Sequence, residues 1–157
     1  MEIINNFLSD TDFQNLKKML TSNTFPYFYE KGVADENDNK NFYFIHQLYY
    51  NDKPASNFFS LILPIINKLN VKSLIRAKIN LFPRTEKLIK YGEHADFDFN
   101  HKGAILYINN CDGGTYIGDK FIPSVENQVL LFDASTMHQS TNCTDEKCRI
   151  NININYF

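Results

Sequence analysis

Three side chains in this sequence are of the kinds that bind transition metals at open sites. His94 and Asp96 stand two residues apart in a segment, Tyr91–Asp98, that reads as extended. In a strand, residues i and i+2 share a face, so an imidazole and a carboxylate there can converge on one ion. His138 lies far along the chain, after the apolar run Val129-Leu130-Leu131-Phe132. Two imidazoles and one carboxylate on a single face of a metal form the donor set of non-heme Fe(II) sites. That set leaves three positions open, two for a chelating 2-oxo acid and one for O2. The H-x-D string alone is common by chance, and its weight comes from what accompanies it.

Arg149 and Tyr107 accompany it. A hairpin turn at Thr144-Asp145-Glu146-Lys147 would put Arg149 on the strand after His138, sharing a face with Asn151 and Asn153. A guanidinium there could clamp the distal carboxylate of 2-oxoglutarate through paired hydrogen bonds, which a lysine does less specifically. A surface pairing with Asp145 or Glu146 is the other possibility. Tyr107, on the polar side of its own strand, could donate its hydroxyl to the same carboxylate, or be a buried tyrosine with another partner.

These residues need a strand-rich scaffold, and the second half of the chain offers one. From Val71 onward the apolar period falls from about 3.6 to 2. Ile75, Ala77, Ile79 and Leu81 alternate with Arg76, Lys78, Asn80 and Phe82, and Ala104, Leu106 and Ile108 with Ile105, Tyr107 and Asn109. Gln128–Asp133, Thr136–Asn142 and Cys148–Tyr156 read as further strands. In the last, Ile150, Ile152 and Ile154 oppose Arg149, Asn151, Asn153 and Asn155, one apolar face against one polar face. Gly113-Gly114 reads as a tight turn or bulge, since no helix start follows it to make a phosphate cradle.

Upstream the pattern is helical. Ser9 is placed as an N-cap, with Phe13, Leu16 and Leu20 forming one stripe. Pro54 could open a second helix whose apolar face runs from Phe58 to Leu69, with Pro64 kinking or splitting it. Lys31–Asn41 is polar and turn-rich, a mobile loop. Helices followed by many short strands describe a β-sandwich or barrel backed by helices.

Composition narrows the classes. A chain of 157 residues with 43% apolar residues suits one globular domain, and a net charge of −2 without a basic block excludes a dedicated nucleic-acid binder. No apolar run is long enough to cross a bilayer, and Met1–Leu8 lacks the features of a signal peptide, so a cytoplasmic location is expected. Cys111, Cys143 and Cys148 form neither a disulfide framework nor a C-x-x-C zinc motif; Cys143 and Cys148 could face each other across the hairpin turn, as reduced thiols or as a redox pair.

Taken in order, Tyr91-Gly92-Glu93-His94-Ala95-Asp96, Ala104-Ile105-Leu106-Tyr107-Ile108-Asn109, Asp112-Gly113-Gly114-Thr115, Val129-Leu130-Leu131-Phe132, His138, and Arg149 with Asn155-Tyr156-Phe157 resemble the 2-oxoglutarate/Fe(II)-dependent oxygenases. The branch is the prolyl-hydroxylase-like one, and the resemblance runs from about Leu74 to Phe157. In brevity and in the Cys143–Arg149 turn the sequence is also similar to short oxygenases of marine phages, for which the location would be the host cytoplasm.

The resemblance implies a mainly β fold, a double-stranded β-helix of jelly-roll or cupin type. Residues 1–157 would be a single domain, with a helical cover of two or three helices over residues 1–70 and a β-helix core over 71–157. It implies His94, Asp96 and His138 as Fe(II) ligands, Arg149 as the 2-oxoglutarate salt bridge with Tyr107 assisting, and Asn80 and Tyr91 as pocket-lining groups. The expected reaction couples decarboxylation of 2-oxoglutarate to succinate with O2-dependent C–H hydroxylation, with ascorbate as a supporting reductant. The substrate would be a small molecule or a peptide, for instance a peptidyl proline; neither it nor the oligomeric state is specified. Asp96 argues for hydroxylation over halogenation, and Asn155, where the demethylase branch carries a second arginine, argues against nucleic-acid repair. Asp98 is read as a solvated loop residue or an entrance group, His101 as a neighbour that could be mistaken for a ligand, and His46 as structural or cleft-lining. The competing classes are a cupin-like metal-binding or sensor protein and a purely structural jelly-roll module.

Overall fold

The computed structural model describes residues 1–34, 38 and 40–157. Part of the expected mobile loop Lys31–Asn41 therefore lies outside the described residues. Eleven strands, two short helices and one 3-10 turn occur in the order β1 (Glu2–Ile4), α1 (Asp10–Leu20), β2 (Phe28–Lys31), β3 (Phe42–Tyr50), β4 (Lys53–Pro54), the 3-10 turn (Phe59–Ile62) and α2 (Leu63–Lys68), among the described residues. They continue as β5 (Leu74–Pro83), β6 (Lys102–Tyr107), β7 (Cys111–Ile117), β8 (Lys120–Ser124), β9 (Val129–Asp133), β10 (His138–Ser140) and β11 (Cys148–Tyr156).

The large antiparallel sheet has the order β1-β9-β6-β11-β5-β3-β2, with β4 paired to β3. The small sheet has the order β10-β7-β8, and single bridges from Lys90 to Thr141 and from His94 to His138 add a short extended segment beside β10. The four inner strands β5, β11, β6 and β9 thus face the 90–94 segment, β10, β7 and β8. This is a double-stranded β-helix.

The two faces of the large sheet have different work. On one, Ala77, Ile79, Leu106, Ile150, Ile152 and Ile154 pack against Phe13, Leu16 and Leu20 of α1 and Ile62 and Ile65 of the second helical segment. On the other, Ile105, Tyr107, Leu130 and Phe132 pack against Ile122 of β8 at one end. The polar half of β11 is left to form the floor of a cavity between the sheets. Its register is regular there: Arg149, Asn151, Asn153 and Asn155 stand opposite Phe82, Asn80, Lys78 and Arg76 of β5.

Ser9 caps α1 by accepting from the Asp12 amide at 3.2 Å, as the sequence predicts. Pro64 sits in the first turn of α2 and separates it from the preceding 3-10 turn, because proline is tolerated where no intrahelical N–H bond is needed. Pro54 does not open a helix. It lies in β4, a two-residue edge strand, where a missing N–H costs no ladder bond. The first 70 residues are also more than a helical cover: β2 and β3 widen the large sheet beyond β5, and β1 adds its other edge on β9. No helix is long and apolar enough to cross a membrane among the described residues.

Candidate metal centre

His94 and His138 are set against each other by backbone bonds. The His94 amide donates to the His138 carbonyl at 3.0 Å and the His138 amide returns the bond at 2.8 Å. Their rings stand 4.4 Å apart, centre to centre. Each Nδ1 lies near a carbonyl two residues upstream, His94 near Gly92 at 3.2 Å and His138 near Thr136 at 2.9 Å. A carbonyl can only accept, so each Nδ1 carries the proton and each Nε2 presents a lone pair. That is the tautomer a metal ligand requires.

Asp96 completes the group. One ligand atom from each of His94, Asp96 and His138 lies within 4.8 Å of the others. An ion with bonds of about 2.1 Å holds neighbouring octahedral donors about 3 Å apart, so small side-chain rotations would close the set. Asp96 is anchored by its amide to the Ala134 carbonyl at 3.1 Å. Its Oδ1 accepts from Arg76 at 2.5 Å, and its Oδ2 accepts from Asn155 at 2.8 Å and Asn153 at 3.2 Å. Burial alone would raise its pKa; the Arg76 guanidinium, His138 and the two amides outweigh burial and hold the carboxyl far below the ordinary range. His94 is shifted down, chiefly by burial and then by His138, which favours the neutral ring.

At the far end of the floor, Arg149 is fully buried between the rings of Phe82 and Tyr107. It donates to Ser140 Oγ at 2.7 Å, the Thr141 carbonyl at 2.9 Å and Thr115 Oγ1 at 3.2 Å. Its Nε has no protein partner, nor have Asn80 Oδ1 and Asn153 Oδ1, among the described residues. A buried guanidinium facing neutral oxygens is an incomplete ion pair, and a ligand carboxylate is the complement it lacks. No Asp or Glu salt bridge to Arg149 occurs among the described residues, so the surface pairing with Asp145 or Glu146 is not made.

The cavity, about 170 Å³, is lined at one end by His94, Asp96 and His138 and along its floor by Arg76, Lys78, Asn80, Asn151 and Asn153. Thr115 and Ser140 close the Arg149 end. Of the residues picked out by sequence, Asn80 lines it and bonds to Asn151 at 2.9 Å. Arg149, Tyr107 and Tyr91 do not line it; Arg149 lies behind Thr115 and Ser140. The Tyr107 hydroxyl donates to Thr115 Oγ1 at 2.9 Å, so Thr115 stands where Tyr107 was expected. Tyr91 stacks behind Phe82, which occupies the wall. Asp98 is exposed; His101 accepts from Asn155 at 3.1 Å and so supports Asp96 at one remove. His46 lies outside the cavity, held by the Pro26 carbonyl and Ser56 Oγ.

Arg76, Lys78 and Thr115 are site residues that motif reasoning passed over. Arg76 and Lys78 share the strand parity of Asn80, and that parity was the available signal. The donor set, the cavity and the buried Arg149 behind its far wall fit a ferrous ion with a chelating 2-oxo acid.

No family model matches the sequence, and no curated protein does. Solved structures do. The structural neighbours are 2-oxoglutarate/Fe(II)-dependent oxygenases, prolyl hydroxylases among them. A viral collagen prolyl hydroxylase from Paramecium bursaria Chlorella virus-1, in complex with 2-oxoglutarate, superposes with a TM-score of 0.65 at 14% identity, covering 99% of this chain and 96% of that one. A prolyl hydroxylase from Trichoplax adhaerens, bound to a hypoxia-inducible-factor peptide fragment, gives 0.64 at 15% identity, with coverage of 99% and 82%. HygX from Streptomyces hygroscopicus, with nickel, 2-oxoglutarate and hygromycin B bound, gives 0.65 at 10% identity, with coverage of 98% and 81%. At these identities the likeness is one of fold.

Proposed function

We propose that this chain is a 2-oxoglutarate/Fe(II)-dependent oxygenase that oxidises a C–H bond of its substrate while converting 2-oxoglutarate to succinate and CO2. The observation that carries the reading is the pairing of two features across one cavity. Three donors of the non-heme iron type lie within 4.8 Å at one end, and a buried arginine with an unpartnered Nε lies at the other, directly behind the lining residues Thr115 and Ser140.

In this reading His94, Asp96 and His138 hold Fe(II), and Arg149 grips the distal carboxylate of 2-oxoglutarate. Thr115 and Ser140 fix the guanidinium, and Tyr107 fixes Thr115 from behind. Asn80 and Asn151 offer amide groups along the track between the two ends. Ile105 and Phe82 give the track apolar walls, which limits water beside the reacting groups. Iron, once bound, supplies the coordination positions at which 2-oxoglutarate and O2 react. Ascorbate would keep the metal ferrous.

A peptidyl proline is one candidate substrate, supported by the shared fold with prolyl hydroxylases; a small molecule is the other, as in the hygromycin B complex. One domain spanning residues 1–157 and a cytoplasmic setting belong to the same reading.

Anaerobic addition of Fe(II) and then 2-oxoglutarate should produce the weak visible charge-transfer band of the chelate in wild type. His138→Ala should lose it. On admission of O2, labelled 2-oxoglutarate should release CO2 slowly even without substrate. Metal retention with neither 2-oxoglutarate binding nor turnover would favour the cupin-like binding protein.

A further inference from the structure

The cavity carries one cation more than its recognised ligands use. Arg76 is committed: Nη2 to Asp96, Nε to Asn155 Oδ1 at 3.1 Å, and its guanidinium over the Phe97 ring at 5.0 Å. Arg149 lies behind Thr115 and Ser140 at the opposite end, where it is assigned to a 2-oxoglutarate carboxylate. Lys78 has neither assignment. Its Nζ is 3.2 Å from the Tyr43 hydroxyl and 5.5 Å from that ring, and it makes no salt bridge among the described residues.

Its position is specific. Lys78 stands opposite Asn153, whose amide holds Asp96, so it is on the metal rung of the floor and not on the Arg149 rung. Phe82, the partner of Arg149, is four steps further along β5, about 13 Å of strand. Its ammonium is drawn toward Tyr43 on β3, the strand on the far side of β5 from β11. It therefore faces the part of the cavity lined by Val33, Ala34 and Tyr43, beside the His94, Asp96 and His138 group and away from the Arg149 end.

Charge counting gives the same answer. Among the described residues, with Asp96, Arg76, Lys78 and Arg149 ionised and both histidines neutral, the site holds one negative and three positive charges, and Glu30, close enough to act on Lys78 and Tyr43, leaves a net charge of +1. Adding Fe(II) and the dianion of 2-oxoglutarate changes nothing in the sum, so an excess of positive charge remains for the substrate to meet.

We propose, resting on the oxygenase reading above, that Lys78 and Tyr43 form an oxyanion anchor, and that the substrate presents a carboxylate or phosphate group to them while a neighbouring C–H faces the iron. Two free N–H bonds of the ammonium and the tyrosine O–H supply the donors. Tyr43 accepts from Lys78, which leaves its proton to donate. The anchor sets which substrates are held, and a neutral peptidyl proline would leave it unmet.

The test uses the whole chain loaded with Zn(II), which is diamagnetic, and 2-oxoglutarate. Acetate and methyl phosphate are titrated separately into wild type, Lys78→Met and Lys78→Arg, and NMR shifts of the cavity amides are followed. Wild type should bind at least one of the two anions. Lys78→Met should weaken it about tenfold or more, and Lys78→Arg should retain most of it. A response to acetate alone identifies a carboxylate substrate, and one to methyl phosphate alone a phosphate. Equal anion affinity in wild type and Lys78→Met, or no anion binding, overturns the proposal. A tenfold loss of 2-oxoglutarate affinity in Lys78→Met overturns it too, by giving Lys78 to the co-substrate. Failure of wild type to bind 2-oxoglutarate would sink the oxygenase reading instead, while the anion titration still reports on Lys78.

Discussion

Arg76 Nη2 lies 2.5 Å from Asp96 Oδ1, while Asp96 Oδ2 lies 3.9 Å from His138 Nε2. The two oxygens of one carboxylate are thus divided between an arginine and the histidine pair. An oxygen held by a guanidinium is not free to chelate, so Arg76 orients Asp96 to offer a single donor.

Removing that arginine should be costly before any metal is added. Arg76→Met leaves a buried carboxylate supported only by amides, and a loss of about 2–4 kcal/mol is expected at neutral pH. The sign with pH follows from the depressed folded pKa of Asp96. The wild-type advantage is fully present above the ordinary value of 3.8 and fades as acid protonates the carboxyl. Chemical denaturation at several pH values checks this. Metal should restore more stability to the variant than to wild type, because the ion replaces the missing charge.

Arg149→Lys separates the two ends of the cavity. The lysine keeps the charge but cannot reach Ser140, Thr141 and Thr115 in the same fork. Affinity for 2-oxoglutarate should drop by tenfold or more, roughly 1.5–3 kcal/mol, with metal affinity nearly unchanged. His138→Ala should do the reverse. Calorimetric titration of each ligand distinguishes them, and parallel losses in both variants would break the assignment.

Lys78 should be a burden on the folded state. Burial, and then the Arg76 charge, lower its pKa from 10.5 to about 8; Asp96 and Glu30 pull the other way. An unfolded chain therefore holds this proton to higher pH than the folded one. The penalty is complete below about pH 8 and is relieved between about 8 and 10.5. Lys78→Met should stabilise the protein by about 1–3 kcal/mol at pH 7, with the gain shrinking across that window. Thermal melts at pH 7 and pH 10 give the comparison.

Gly113→Ala should damage the co-substrate end selectively. A Cβ there would sit 1.9 Å from the Asn142 carbonyl oxygen and 3.0 Å from Arg149 Cδ. The backbone must move, at a cost of about 1–3 kcal/mol, and the guanidinium moves with it. Weaker 2-oxoglutarate binding with intact metal binding is expected.

The three clustered donors, His94, Asp96 and His138, were legible because two of them sit at strand spacing and the third follows an unmistakable apolar strand. Arg149 was legible because β11 alternates without exception. Arg76 was not: its partner Asp96 is twenty residues away, and nothing local separates it from any polar strand residue. Tyr107 shows the complementary failure. Its parity placed it on the correct face, but parity does not say that a shorter side chain, Thr115, will reach the cavity first. β3 was hidden for another reason. Phe42–Tyr50 is aromatic on both faces, because one side packs on the core and the other meets neighbours in β2, so period-2 contrast is lost.

The regular register of β11 has a consequence for how this sequence can vary. A single inserted or deleted codon within the strand would exchange its faces, sending Ile150, Ile152 and Ile154 toward the cavity and the asparagines toward α1. Substitutions can be absorbed one at a time, but a frame slip of one residue forfeits the hydrophobic layer and the cavity floor together. The connection before β11 is not the hairpin the sequence suggests, because β10 pairs with β7 in the small sheet and β11 with β5 and β6 in the large one. Length changes should be tolerated in that crossover and purged within β11.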